Sequence, residues 1–113
     1  MVILTISVNA RSSKRNELLS ACRLITDQTR KEKGCLGCRL SQDIDNENGI
    51  NIEETWERRS SLDEHFRSDF FSALLGAVQL LGETHEIRIN EGSLTQGMDA
   101  VQAARSKEGD SKQ

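Results

Sequence analysis

The 113-residue chain contains no tyrosine and only one tryptophan, Trp56, and aromatic residues make up 4% of it. Apart from three phenylalanines, Trp56 is the one aromatic residue available to wall a binding cleft. No apolar run approaches the roughly 20 residues of a membrane-spanning helix. The opening Met1-Val2-Ile3-Leu4-Thr5-Ile6 lacks a basic leader and a cleavage site, and turns polar too early for a signal peptide. Neither sign of charge is in large excess: 15 Lys and Arg stand against 18 Asp and Glu, a net of −3. That mild acidity removes the electrostatic reason to expect nucleic acid or an anionic membrane as a partner. An odd number of cysteines (Cys22, Cys35, Cys38) without an export signal fits a reducing cytoplasm.

What remains is 35% hydrophobic and 29% charged, the balance of one soluble globular domain. Val2, Leu4, Ile6 and Val8 alternate through a first strand that ends at Asn9. Ser12 and Ser13 offer an N-cap to a helix whose apolar set is Leu18, Cys22, Ile25 and Thr29, widened by Leu19, with Gly34 as the stop. Cys35 to Gln42 reads as a second strand with Leu36, Cys38 and Leu40 on one side. Asn48-Gly49 is a turn signal, so Ile50 to about Arg58 forms a hairpin with that strand. Ile50, Ile52, Glu54 and Trp56 share one of its faces.

Ser61-Leu62-Asp63-Glu64 has the form of a capping box. A helical region follows to Leu81, with Phe70, Leu74, Val78 and Leu81 on its buried face and Ser68 placed to recap and bend it. Gly82 ends this region, and His85, Ile87 and Ile89 alternate through a fourth strand. The domain spans residues 1–92. The extension 93–113 has Met98, Val101 and Ala104 at weakly helical spacing and a disordered end from Ser106.

The order β-α-β-β-α-β predicts a ferredoxin-like α+β fold, one four-stranded antiparallel sheet with helices on one side. Apolar residues also fall on the second faces of strands one and two. A second copy of the sheet is the simplest cover for them, which predicts a homodimer.

Lys33-Gly34-Cys35-Leu36, then Glu54-Thr55-Trp56, then Leu62…His65…Ser68…Phe71 form an ordered set over roughly Met1 to Glu91. The set resembles the antibiotic biosynthesis monooxygenase family. The resemblance implies a dimeric α+β barrel and cofactor-independent oxidation of an electron-rich phenolic or quinol ring, with no metal or flavin. It places Trp56 as the ring's wall and Asn9 where several members carry a catalytic asparagine. It also marks departures. Ile52 stands where polyketide-oxidising members have a second asparagine. Leu75 stands near the position of the iron-ligating histidine of haem-degrading members, which disfavours that chemistry.

The catalytic candidates are Asn9, Trp56, His65 and Glu54; Ile52, Phe66, Phe70 and His85 are candidates for substrate binding. Each has a plainer reading. Trp56 walls a pocket or fills the core. His65 is a general base, or it fixes the helix to the sheet. Glu54 orients His65, accepts a substrate proton, or pairs with Arg39 on the neighbouring strand. His85 lines the same cavity or is a satisfied core histidine. Cys35 and Cys38 have the spacing of a redox or zinc pair, but in a regular strand they point to opposite faces and no second pair completes a zinc site. Three functions stay open: an oxygenase on a small phenolic substrate, an isomerase of a small oxygenated metabolite, and a non-catalytic dimer that binds a small molecule or serves as an interaction module.

Overall fold

Strand β1 (Val2–Ala10) alternates without a break, with Val2, Leu4, Ile6, Val8 and Ala10 buried and the residues between them partly exposed. Branched and aliphatic side chains at period two make this the central strand. In the computed structural model it pairs antiparallel with both β3 (Gly49–Trp56) and β4 (Gly82–Glu91). Strand β2 (Cys35–Gln42) pairs antiparallel with β3, giving the sheet order β2-β3-β1-β4. The structure describes residues 1–92 together with Gln102, Ala103 and Arg105, which are helical. The rest of the extension, Met98, Val101, Ala104 and the end from Ser106 included, lies outside the described residues. Among those described, no helix is long and apolar enough to cross a membrane.

Helices α1 (Arg15–Thr29), α2 (Arg59–Phe66) and α3 (Asp69–Leu81) cover one face of the sheet. Their buried apolar residues are Leu18, Cys22 and Ile25, then Leu62, then Phe71, Leu74 and Val78, closing on the inward row of β1 and β3. The split expected at Ser68 is present. Its hydroxyl accepts from Phe71 N–H at 3.1 Å and donates to the His65 carbonyl at 2.7 Å, so it caps α3 and holds the end of α2. The arrangement is β-α-β-β-α-α-β.

Several local expectations need correction. Ser61 does not open a helix: α2 begins at Arg59 after an extended Arg58 with no side-chain cap. Ser61 instead packs against Gly34, whose φ of +87° turns the chain into β2. α1 ends at Thr29, five residues before that glycine, and a 3-10 turn at Ser12–Lys14 precedes it with no side-chain cap. On α3 the inward aromatic is Phe71, 5% exposed, while Phe70 is 42% exposed. One residue is 100° of helix, enough to turn Phe70 away from the core.

The β2–β3 register shifts between Cys35 and Gly37, with Cys35 opposite Trp56 and Cys38 opposite Glu54. This bulge leaves Leu36 exposed and brings Cys35 and Cys38 onto the same, helix-covered face. The second sheet face is largely polar. It carries Ile3, Thr5, Ser7 and Asn9 from β1 and Asn51, Glu53 and Thr55 from β3. By register Arg39, opposite Glu53, and Glu86, Arg88 and Asn90 join them. Ile3 is the apolar exception on β1, so this face is not the second apolar layer the sequence suggested.

Candidate functional site

Of the eight candidate side chains, Phe70 is turned out to solvent and belongs to neither of the two places where the others lie. Ile52, Glu54 and Trp56 leave β3 on the helix-covered face, where they are 1%, 1% and 0% exposed. α2 brings His65, also 0% exposed, down onto them. The Trp56 indole N–H donates to Glu54 Oε1 at 2.9 Å, and His65 Nε2 lies 3.1 Å from that same oxygen. The second approach is off the hydrogen-bond axis, leaving Nε2 in electrostatic contact rather than in a formed bond. The other ring nitrogen, Nδ1, sits 3.0 and 2.9 Å from the two oxygens of Glu32. Glu32 lies in the turn before Gly34 and is the part of this array that reaches solvent.

The imidazole is thus held between two carboxylates. It also lies 4.8 Å from the Trp56 ring, tilted at 33°, and meets Phe71 edge-on at 5.2 Å. Burial alone pushes the His65 pKa down; the close Glu54 carboxylate, then the hydrogen-bonded Glu32, outweigh it, so the net direction is up. The two carboxylates therefore favour the protonated, imidazolium form of His65. Phe66 is partly buried beside it, 6.5 Å from the imidazole and 4.9 Å from Phe71. The sequence motif is accounted for by architecture: Leu62 packs in the core, His65 bridges two acids, and Ser68 joins the two helices.

Asn9 is elsewhere. It leaves β1 on the uncovered face and accepts a 3.0 Å hydrogen bond from the Asn46 amide. There it lines an open cleft of about 380 Å³ between β1, β4 and the β2–β3 hairpin loop. His85 also borders this cleft, but opposite Val8 in the β1–β4 register it leaves β4 on the face of the inward row; Ser7, Asn51, Asp43, Thr84 and Glu86 complete the polar lining. The loop is closed by Gly49 N–H to the Asn46 carbonyl at 2.8 Å and Asp43 N–H to the Gly49 carbonyl at 2.9 Å. Asn46 and Asn51 were missed in the sequence. Alternation along β3 carries the signal for Asn51, since an odd offset from Trp56 puts it on the other face with Asn9. Asn46 is set by the loop, which alternation does not reach.

The pairing of Glu54 with Arg39 is not formed, because Arg39 faces Glu53 on the other side of the sheet. Burial pushes the Cys38 thiol up to about 12, and Cys35 is raised for the same leading reason. Neither thiol has the lowered pKa of a redox nucleophile. Among the described residues no group of three or more His, Cys, Asp or Glu is arranged to hold a metal ion. Leu75 packs against the core.

Solved structures share this fold. A conserved protein from Methanosarcina mazei Go1 superposes with a TM-score of 0.76 at 25% identity, covering 81% of this chain and 92% of its own. A candidate antibiotic biosynthesis monooxygenase from Deinococcus radiodurans gives 0.79 at 22% identity over 86% and 97%. Another from Nitrosomonas europaea gives 0.76 at 17% over 83% and 100%. No curated protein matches. The profile of the antibiotic biosynthesis monooxygenase family matches residues 1–76, which takes in β1 to β3, α2, most of α3 and the candidate site except for its β4 residues. The chain belongs to that family.

Proposed function

We propose that this chain is a cofactor-independent monooxygenase of its family's kind, acting on a small phenolic or quinol-like substrate. The observation that carries the reading is the convergence of Asn9 and Asn51 on one open cleft, with Asp43 and Glu86 beside them. Carboxamides supply both donors and acceptors to ring oxygens, and a neighbouring carboxylate takes the proton whose loss makes such a ring reactive towards oxygen. A volume of about 380 Å³ suits a ligand of one or two rings. Trp56, His65 and Glu54 act in this reading as the frame behind the sheet, and meet substrate directly only if α2 moves away. A homodimer in the cytoplasm, with no nucleic acid or membrane partner, completes the proposal. Exposed Ile87 and Ile89, which pair with Ile6 and Leu4 and so share the inward face at the β4 edge, are apolar groups a second copy would cover.

The enclosure of Trp56 and His65 favours a second reading, a dimer that binds a small oxygenated molecule, isomerising it or leaving it unchanged. Oxygen uptake decides between them. Purified protein is given dihydroxynaphthalenes, anthrones and hydroquinones without added cofactor. Uptake above the autoxidation rate, lost in Asn9→Ala and Asn51→Ala, is the expected result. Wild-type uptake equal to the buffer blank across the panel moves the chain to the binding reading. Uptake abolished by Trp56→Phe but retained in Asn9→Ala moves the reaction to the helix side of the sheet.

A further inference from the structure

On the helix side of the edge strand β2 there is a second recess, of about 290 Å³, lined by Arg23, Thr26, Asp27, Arg30 and Leu40. We propose that it binds a small oxyanion, a phosphate or a carboxylate group. Positions 23, 26, 27 and 30 recur at helical spacing, so α1 and the residue capping it present them on one face. Arg30 is fixed at two points: its Nε donates to the Cys38 carbonyl at 2.9 Å and its Nη1 to Asp27 Oδ1 at 2.7 Å. Its Nη2 has no partner among the described residues, and neither has the guanidinium of Arg23.

Thr26 is 3% exposed, and its hydroxyl finds no hydrogen-bond partner of ordinary geometry. The Cys38 thiol lies near enough to feel that hydroxyl, but the two do not form a regular bond. A buried hydroxyl without a partner is uncommon in a folded protein and asks for an explanation. Two guanidinium groups and one carboxylate leave the recess with a net positive charge, on a chain whose overall charge is negative. The attraction is therefore local to these side chains. A planar guanidinium already oriented by its other donors suits the paired oxygens of a phosphate or carboxylate. The threonine hydroxyl adds a neutral donor at the back.

The test is a titration of the whole chain, 15N-labelled, with inorganic phosphate, acetate and chloride at matched ionic strength. Saturable shifts confined to residues 23–30 and 38–40 with phosphate or acetate, and absent with chloride, are expected. The stronger of the first two anions identifies the group recognised. Arg23→Gln, at an exposed side chain without an acid partner, should weaken binding about tenfold; Asp27→Asn should tighten it by removing the competing charge. Arg30→Lys keeps the charge but loses the fork and should also weaken binding. Shifts spread over the whole surface, equal response to chloride, or unchanged affinity in Arg23→Gln would each overturn the proposal.

Discussion

Asn9 and Trp56 belong to adjacent strands of one sheet and leave it on opposite faces. Asn9 opens onto the polar cleft, and Trp56 is sealed under α2. Their substitutions should therefore separate. Asn9→Ala removes one hydrogen bond near the surface and should cost within about 1 kcal/mol of stability. Trp56→Phe removes a buried donor, strands Glu54 and leaves unfilled volume, for at least about 2 kcal/mol. Urea denaturation of both variants checks this, and equal losses would contradict the two-faced arrangement.

His65 makes stability depend on pH. Its folded pKa lies above the ordinary value of 6.5, so the fold binds this proton more tightly than the unfolded chain does. The stabilisation is complete below the unfolded pKa and is lost as pH rises through the folded one. The stability difference between wild type and His65→Gln should shrink as pH rises above the ordinary value of 6.5 and through the raised folded pKa. Denaturation midpoints over that range report it; a difference that grows with pH reverses the assignment.

The two acids that raise His65 can be tested one at a time. Glu54→Gln keeps an acceptor for the Trp56 indole but loses the charge, and Glu32→Gln does the same at Nδ1. Each should lower the His65 titration midpoint seen by proton NMR. Glu54→Ala leaves the indole and the His65 ring without their shared partner, and should cost about 3–5 kcal/mol. An unmoved His65 midpoint in both glutamine variants would show that neither carboxylate holds the proton.

Gly34 combines a φ of +87° with close contact. A Cβ built there lies 2.3 Å from Ser61 Oγ and 2.6 Å from Ser61 Cβ. Gly34→Ala should destabilise by more than about 1 kcal/mol. Ser61→Ala should not rescue it, because the β-carbon remains in the way. Ser61→Gly should rescue in part, leaving the backbone strain. Thermal melts of the three double and single variants distinguish these cases.

The thiols should react in two classes. Cys22 is fully buried with its pKa pushed up to about 11, and Cys38 is 8% exposed and raised to about 12, whereas Cys35 is partly open. A disulfide reagent should label one thiol of the native protein and the other two only on unfolding. Rapid labelling of all three would contradict this burial.

Much of the fold was legible because it depends on neighbours in sequence. The alternation of β1, the turn at Gly49 and the recapping at Ser68 each arise within a few residues. What escaped was set by partners far along the chain. Glu32 meets His65 across 33 positions, and no local pattern marks it as the second acid. The bulge after Cys35 is a register event between two strands, so strict alternation put the two cysteines on opposite faces. For the site, the residue types at Trp56, His65 and Glu54 were visible, but their enclosure follows from how α2 lies on the sheet. The cleft at Asn9 combines two strands with a loop, and only their pairing brings Asn46 and Asn51 to it.

The sheet order sets a timetable for synthesis. β1 leaves the ribosome before either of its neighbours, and one of these is β4, with Val2 paired to Glu91. One edge of β1 therefore waits, unpaired, while some eighty further residues are made. The β1–β3 ladder can form during that interval, but the nascent chain presents a bare row of amides and carbonyls until β4 emerges. Closing so long a loop makes this the slowest contact to gain. It also makes β4 the strand that a chaperone, or a neighbouring nascent copy, is best placed to imitate.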